Sequence, residues 1–145
     1  MEVEPATARD LPEIVGLLTA AGLTLDGAAA AFETGVLARD SGRVVAVAAV
    51  EPFGSDGLLR SVAVAQDRRG EGFGRAIVEA TERLARDLGI AELYLLTETA
   101  AIWFPRLGYT RIDRSDVPSR VQASVEFAMA CSETAVAMRR TMAPG

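Results

Sequence analysis

The chain has 145 residues, 50% of them apolar and 24% charged, a balance that fits one globular domain over residues 1–145 and excludes a disordered polymer. A formal net charge of −5 argues against nucleic acid and anionic membranes as partners, because both call for clustered positive charge. The chain holds no His, no Lys and one Cys (Cys131), so His-based nucleophile pairs, Schiff-base lysines, a Walker-type lysine and thiolate metal cages are excluded, and no metal is expected.

Residues 2–5 read as a short first strand. Thr7 and Asp10 have the spacing of a capping box, with Asp in place of the usual Glu. Leu11, Ile14, Val15 and Leu18 then recur at helical spacing, and Gly22 supplies a stop. A second short helix is expected within residues 25–34. Strand-like segments follow at 36–39, 43–50 and 58–65, separated by the turn-forming runs Asp40-Ser41-Gly42 and Ser55-Asp56-Gly57.

Residues 69–75, Arg-Gly-Glu-Gly-Phe-Gly-Arg, lie between a strand and a helix. The helix, 74–88, carries Ile77, Val78, Thr81, Leu84 and Leu88 on one face, and Gly89 ends it. Glycines in such a loop let main-chain N–H groups approach an anion, and the helix start adds a partial positive charge. Together they form a diphosphate cradle that needs no lysine, with Arg68, Arg69 and Arg75 as further counter-charges. The spacing departs from the dinucleotide fingerprint, whose third glycine would fall on Arg75. Taken alone, the loop fits an ordinary helix-capping turn equally well.

Downstream, 92–97 is short and apolar like a buried strand, 99–107 suits a short helix bounded or made irregular by Pro105, and 110–113 suits a strand. Pro118 suits the first turn of a helix over 119–129, and 135–140 reads as the last strand. The order predicts a layered α/β (α+β) domain. The acidic start Met1-Glu2-Val3-Glu4 is unlike a signal peptide, and no apolar run approaches the roughly 20 residues of a spanning helix, so a cytoplasmic location is expected.

Three segments carry a family resemblance. Val62-Ala63-Val64 followed by Arg69, Gly72 and Gly74 resembles motif A of the GCN5-related N-acetyltransferases, Gln/Arg-x-x-Gly-x-Gly/Ala after a Val-containing strand. Residues 101–109, Ala-Ile-Trp-Phe-Pro-Arg-Leu-Gly-Tyr, resemble the family's Leu-Tyr-Glu-Lys-Leu-Gly-Phe segment, and residues 4–12 resemble its opening strand and first helix. Finer likeness to the acetyltransferases found beside bacterial arsenic-resistance operons lies in Leu95-Leu96-Thr97-Glu98-Thr99-Ala100, in Asp113-Arg114-Ser115-Asp116-Val117-Pro118 and in Glu126-Phe127.

The resemblance implies a central mixed, mostly antiparallel sheet of six to seven strands, splayed at the cofactor site and flanked by four to five helices. It implies acetyl-CoA as co-substrate and a small-molecule primary amine as acceptor, such as a phosphinothricin- or organoarsenical-like amino acid. Val62, Ala63 and Val64 would pair with the pantetheine arm, and Gly70, Glu71, Gly72, Phe73, Gly74 and Arg75, with Arg69, would hold the diphosphate. Phe104 stands where many members carry a tyrosine that protonates the leaving thiolate, and Leu59 where many carry a glutamate base. Thr97 replaces a frequent asparagine. Glu98 fits either a general base or a helix-start carboxylate, and Ser61 or Thr97 could hold a base water. Arg60 and Arg114 suit either a clamp on a substrate carboxylate or a salt-bridged surface. Missing the tyrosine and glutamate, the chain also suits a non-catalytic acyl-CoA-binding domain. A homodimer is compatible with the apolar closing segments.

Overall fold

The computed structural model describes residues 2–98, 100–124 and 135–142. Strand β1 (Glu2–Pro5) leads through a short 3-10 turn into helix α1 (Leu11–Ala20). The expected capping box is present: the Thr7 N–H and hydroxyl both donate to Asp10, each at 2.9 Å. Helix α2 is a single turn (Ala28–Ala31).

Strands β2 (Gly35–Asp40) and β3 (Arg43–Phe53) join through Ser41 and Gly42, both at positive φ, as a tight right-twisted hairpin requires. Strand β4 (Asp56–Val64) follows a turn made by Gly54 and Ser55, not by the expected Ser55-Asp56-Gly57. Gly54 takes the positive φ, whereas Gly57 is inside β4, where a Cβ would stand 2.8 Å from Ile90 Cδ1. Pro52 is tolerated in β3 because β2 pairs only as far as Ala49, leaving that end of β3 an edge.

Helix α3 (Phe73–Asp87) is the long helix expected, and β5 (Glu92–Thr97) follows it. A 3-10 turn (Phe104–Leu107), with Pro105 in its first turn, closes at Gly108 where a short helix was expected. Strand β6 (Thr110–Ile112), helix α4 (Ser119–Gln122, capped by Pro118) and strand β7 (Val136–Thr141) follow among the described residues. The helix expected over 119–129 ends at Gln122, with Ala123 and Ser124 in a turn beyond it; residues 125–129, with Glu126 and Phe127, and Cys131 lie outside the described residues.

The seven strands form one sheet in the order β1-β2-β3-β4-β5-β7-β6. Every neighbouring pair is antiparallel except β4 and β5. Alternation along the strands divides the core between two faces. On one face α3 buries Ile77 and Val78 against Ala38, Ala46, Leu59, Leu93 and Met138. On the other, α1 buries Ile14 and Leu18 against Leu37, Val47 and Ala63, and Val121 of α4 packs with Leu58, Tyr94 and Ala137. Covered on both sides, β3 reads as an unbroken buried run from Val44 to Val50. Among the described residues, no helix is long and apolar enough to cross a membrane.

Candidate active site

The sheet opens in its middle. Parallel pairing of β4 with β5 stops at Leu58 opposite Tyr94, yet β4 runs on to Val64 and β5 to Thr97. A bulge bends β4 away: Val47 faces Ala63 while Ala49 faces Arg60, so Ala48 alone spans Ser61 and Val62. Ser61 takes φ +57°, an unusual conformation for a residue with a side chain inside a strand. Ala65 N–H donates to Val45 O at 2.8 Å. By the alternation of an antiparallel ladder, Val64 and, at the edge of the bulge, Val62 then turn their main-chain groups into the gap.

A cleft of about 1030 Å³ occupies this gap. Val62, Ala63, Val64, Arg69, Gly70, Gly72, Phe73, Gly74, Arg75 and Phe104 all line it, as do Ser61, Thr97 and Glu98. Leu59 and Phe104, at the positions without a base or an acid, line it too. Phe104 is buried, packed edge-to-face on Trp103 and Tyr109 at 4.9 and 5.5 Å between ring centres.

The glycine loop has the form of an anion cradle. Gly70 and Gly72 sit at φ +82° and +86°, with nothing within 4 Å of the Cβ either lacks, and Gly72 caps α3. Gly74 has another reason to be glycine: a Cβ there would come within 3.0 Å of Trp103 Cζ2, so its absence lets the indole lie against the helix start. Arg68 braces the loop. Its guanidinium pairs with Asp40 and Glu71 and stacks 5.0 Å over the Phe73 ring, and the Arg68 hydrogen bond holds the Asp40 carboxyl below its ordinary range. Arg69 and Arg75 are exposed and have no acidic partner within ion-pair distance among the described residues. The cradle therefore fits a diphosphate: open main-chain amides, a helix N-terminus and two unengaged cations.

The structure places three of the expected site residues differently from the rest. The Glu71 carboxylate turns to Arg68, 3.2 Å away, so its side chain is not part of the cleft lining, and only its main-chain amide is left to the cradle. Arg114 sits in a 3-10 turn after β6, away from the cleft lining. Arg60 borders the cleft, but its side chain is fully buried and each of its three nitrogens donates within the protein, to Glu51, Asp26 O and Ser61 Oγ, so it presents no open fork to a ligand. Thr97 Oγ1 accepts a 3.0 Å bond from Ala100 N–H, and Glu98 is exposed at the end of β5. Sequence reasoning missed the loop after α1, residues 21–24, as a cleft wall; its one local signal, Gly22, marked only a helix end.

A profile of the family described as "Acetyltransferase (GNAT) domain" matches residues 32–111, the segment that contains β2 to β5, the glycine loop and the turn carrying Phe104. The chain belongs to the GNAT acetyltransferase family. Among its relatives, an uncharacterized N-acetyltransferase, CT2212, of Chlorobaculum tepidum is 32% identical over 87 residues, 58% of this chain and 54% of that protein. An amino-acid acetyltransferase of Mycobacterium tuberculosis is 39% identical over 82 residues, 55% of this chain and 46% of that protein. The chain thus spans about half the length of these curated relatives. The crystal structure of Rv2747 from Mycobacterium tuberculosis in complex with CoA and NLQ superposes with a TM-score of 0.84 at 23% identity, covering 99% of this chain and 100% of that one. At that identity the likeness speaks to the GNAT fold, and the splayed seven-stranded sheet is its expression here.

Proposed function

We propose that this domain transfers the acetyl group of acetyl-CoA to a primary amine of a small molecule, directly, within a ternary complex. The observation that carries the reading is the cleft between β4 and β5 with the glycine cradle at its border. The diphosphate would sit on the amides of residues 70–75, with Arg69 and Arg75 as counter-charges, and the pantetheine arm would run along Val62 to Val64 as an added strand.

The acceptor nitrogen attacks the thioester carbonyl carbon. An N–C bond forms, the C–S bond breaks, and coenzyme A departs as a thiolate. A main-chain N–H near the bulge would stabilise the developing oxyanion. Glu98 takes the amine proton, directly or through a water held by Ser61 and Thr97. The demand on that base is modest for an α-amino acid, whose amine has a pKa of about 8 and is partly neutral near pH 7.5. Phe104 cannot protonate the thiolate, so the proton reaches coenzyme A from water.

For the acceptor we favour an amino-acid-like toxin, of phosphinothricin or organoarsenical type, in an arsenic-resistance setting. Support comes from the 95–100 and 113–118 segments and from relatives named amino-acid acetyltransferases. The test is release of free coenzyme A, with mass spectrometry of the product, for phosphinothricin and arsenic-containing amino acids against ordinary amines. Acetylation of ordinary amines alone would remove the toxin assignment. Leu59 and Phe104 in the cleft favour one second reading, an acyl-CoA-binding domain without turnover. Tight acetyl-CoA binding with no product from any amine would establish it.

A further inference from the structure

Arg60 is an anomaly among the residues bordering the cleft. Its side chain has no exposed surface, yet it carries a full charge. Burial of a cation is tolerated only with a partner and with its donors satisfied. Nη1 donates to Glu51 Oε1 at 2.8 Å, Nη2 to the Asp26 carbonyl at 2.8 Å, and Nε to Ser61 Oγ at 3.1 Å.

Two of these partners belong to different walls, while Glu51 anchors the guanidinium from β3. Ser61 is the left-handed residue of the β4 bulge. Asp26 follows the 21–24 segment that lines the cleft. The hydrogen bonds between Thr24 and Asp26 are local, whereas the Arg60–Asp26 bond joins residues 34 apart in sequence. A methionine would fill the same volume, but only a rigid planar fork bonds both walls at once.

We propose that Arg60 is a positioning residue for acetyl transfer: it ties the loop after α1 to the β4 bulge, so that the acceptor's wall and the thioester's wall keep one mutual geometry. The proposal rests on the acetyl-transfer reading. Loss of the tether leaves the glycine cradle untouched, because Arg60 bonds none of its residues. It therefore loosens acceptor alignment while cofactor binding is kept.

The experiment compares Arg60→Gln and Arg60→Lys with the wild-type protein. Amide hydrogen exchange is read with and without acetyl-CoA, acetyl-CoA affinity by calorimetry, and turnover as thiol release with the amine that the wild type uses fastest. In Arg60→Gln, exchange over residues 22–27 should accelerate by roughly tenfold or more while α3 stays protected. Acetyl-CoA affinity should hold within about twofold while kcat falls on the order of 100-fold, the scale of a small misplacement of reactants. Arg60→Lys, which keeps charge but not the fork, should recover part of kcat.

Unchanged exchange over 22–27 would overturn the tether. So would acceleration across the whole sheet with parallel loss of acetyl-CoA binding, which marks a purely structural role. Should Arg60→Gln fail to fold, Glu51→Gln weakens the same bridge with Arg60 in place, and is expected to move exchange and kcat in the same directions by less. If the wild type releases no coenzyme A with any amine, the proposed activity falls, and the exchange measurement still decides the tether.

Discussion

The Tyr109 hydroxyl donates a 2.8 Å hydrogen bond to Glu82, whose Oε2 also accepts one of 2.8 Å from Arg140 Nη1. Glu82 is buried on α3 and Tyr109 is buried beside Phe104, but neither lines the cleft. Burial, and then the charge of Glu82, push the Tyr109 phenol far above its ordinary range. Tyr94, the other tyrosine, is also pushed up, by burial and then by Asp56, and it too is absent from the cleft lining. Neither phenol can supply the proton that Phe104 lacks.

Tyr109→Phe should therefore cost stability and spare chemistry. Glu82 loses one donor and keeps Arg140, a loss of about 1–2 kcal/mol. Urea unfolding should report that loss, while thiol release per folded molecule stays at the wild-type level. A fall in kcat at unchanged stability would return Tyr109 to the mechanism.

Gly72→Glu should abolish acetyl-CoA binding. The substitution forces a side chain onto a φ of +86° and sets a carboxylate beside the proposed diphosphate site. Strain and like-charge repulsion together should weaken binding by at least ~100-fold. Calorimetry at near-wild-type affinity would show that the cradle holds something else.

Glu98→Gln keeps shape and removes the base. Turnover should fall by roughly 10- to 100-fold, with acetyl-CoA affinity changed by less than about twofold. An unaltered rate would leave proton removal to water.

Asp10 gives a stability prediction that depends on pH. Burial raises its carboxyl, but hydrogen bonds from Thr7 and the charge and hydrogen bond of Arg39 outweigh burial and hold it below its ordinary value of 3.8. A carboxylate whose folded pKa is depressed contributes stability that is complete above the unfolded pKa. That contribution disappears as pH falls from about 4 through the folded value. Asp10→Asn should thus be less stable than the wild type at neutral pH, with the two melting temperatures converging as pH falls below about 4. Parallel melting curves across that range would contradict the assignment.

Much of the scaffold was legible from local pattern. The 3.6-residue spacing of Ile77, Val78, Thr81 and Leu84 marks α3, Thr7 and Asp10 mark the start of α1, and the apolar run 93–96 marks β5. Local chemistry misjudged the β3–β4 turn, since Asp56 and Gly57 have turn character but a steric contact with Ile90 accounts for the second glycine. The bulge at Ser61 left no signal, because serine is not a residue that advertises positive φ. Arg68, Arg69 and Arg75 looked alike as candidate counter-charges to the diphosphate, and Arg60 and Arg114 looked alike as candidate substrate clamps. Their fates diverge because Asp40, Glu51 and Asp26, remote in sequence, stand beside some and not others.

By itself the sequence determined the element order, the glycine cradle's position between a strand and a helix, and the want of His, Lys, a tyrosine at Phe104 and a glutamate at Leu59. These are written in neighbouring residues, where helical and strand periods and turn preferences act. Only the tertiary structure decided that β4 and β5 part after Leu58 and Tyr94, that the loop after α1 forms a wall of the resulting cleft, and that neither tyrosine lines it. Those outcomes depend on strand register, burial and charge pairing between segments tens of residues apart, which no short-range pattern encodes.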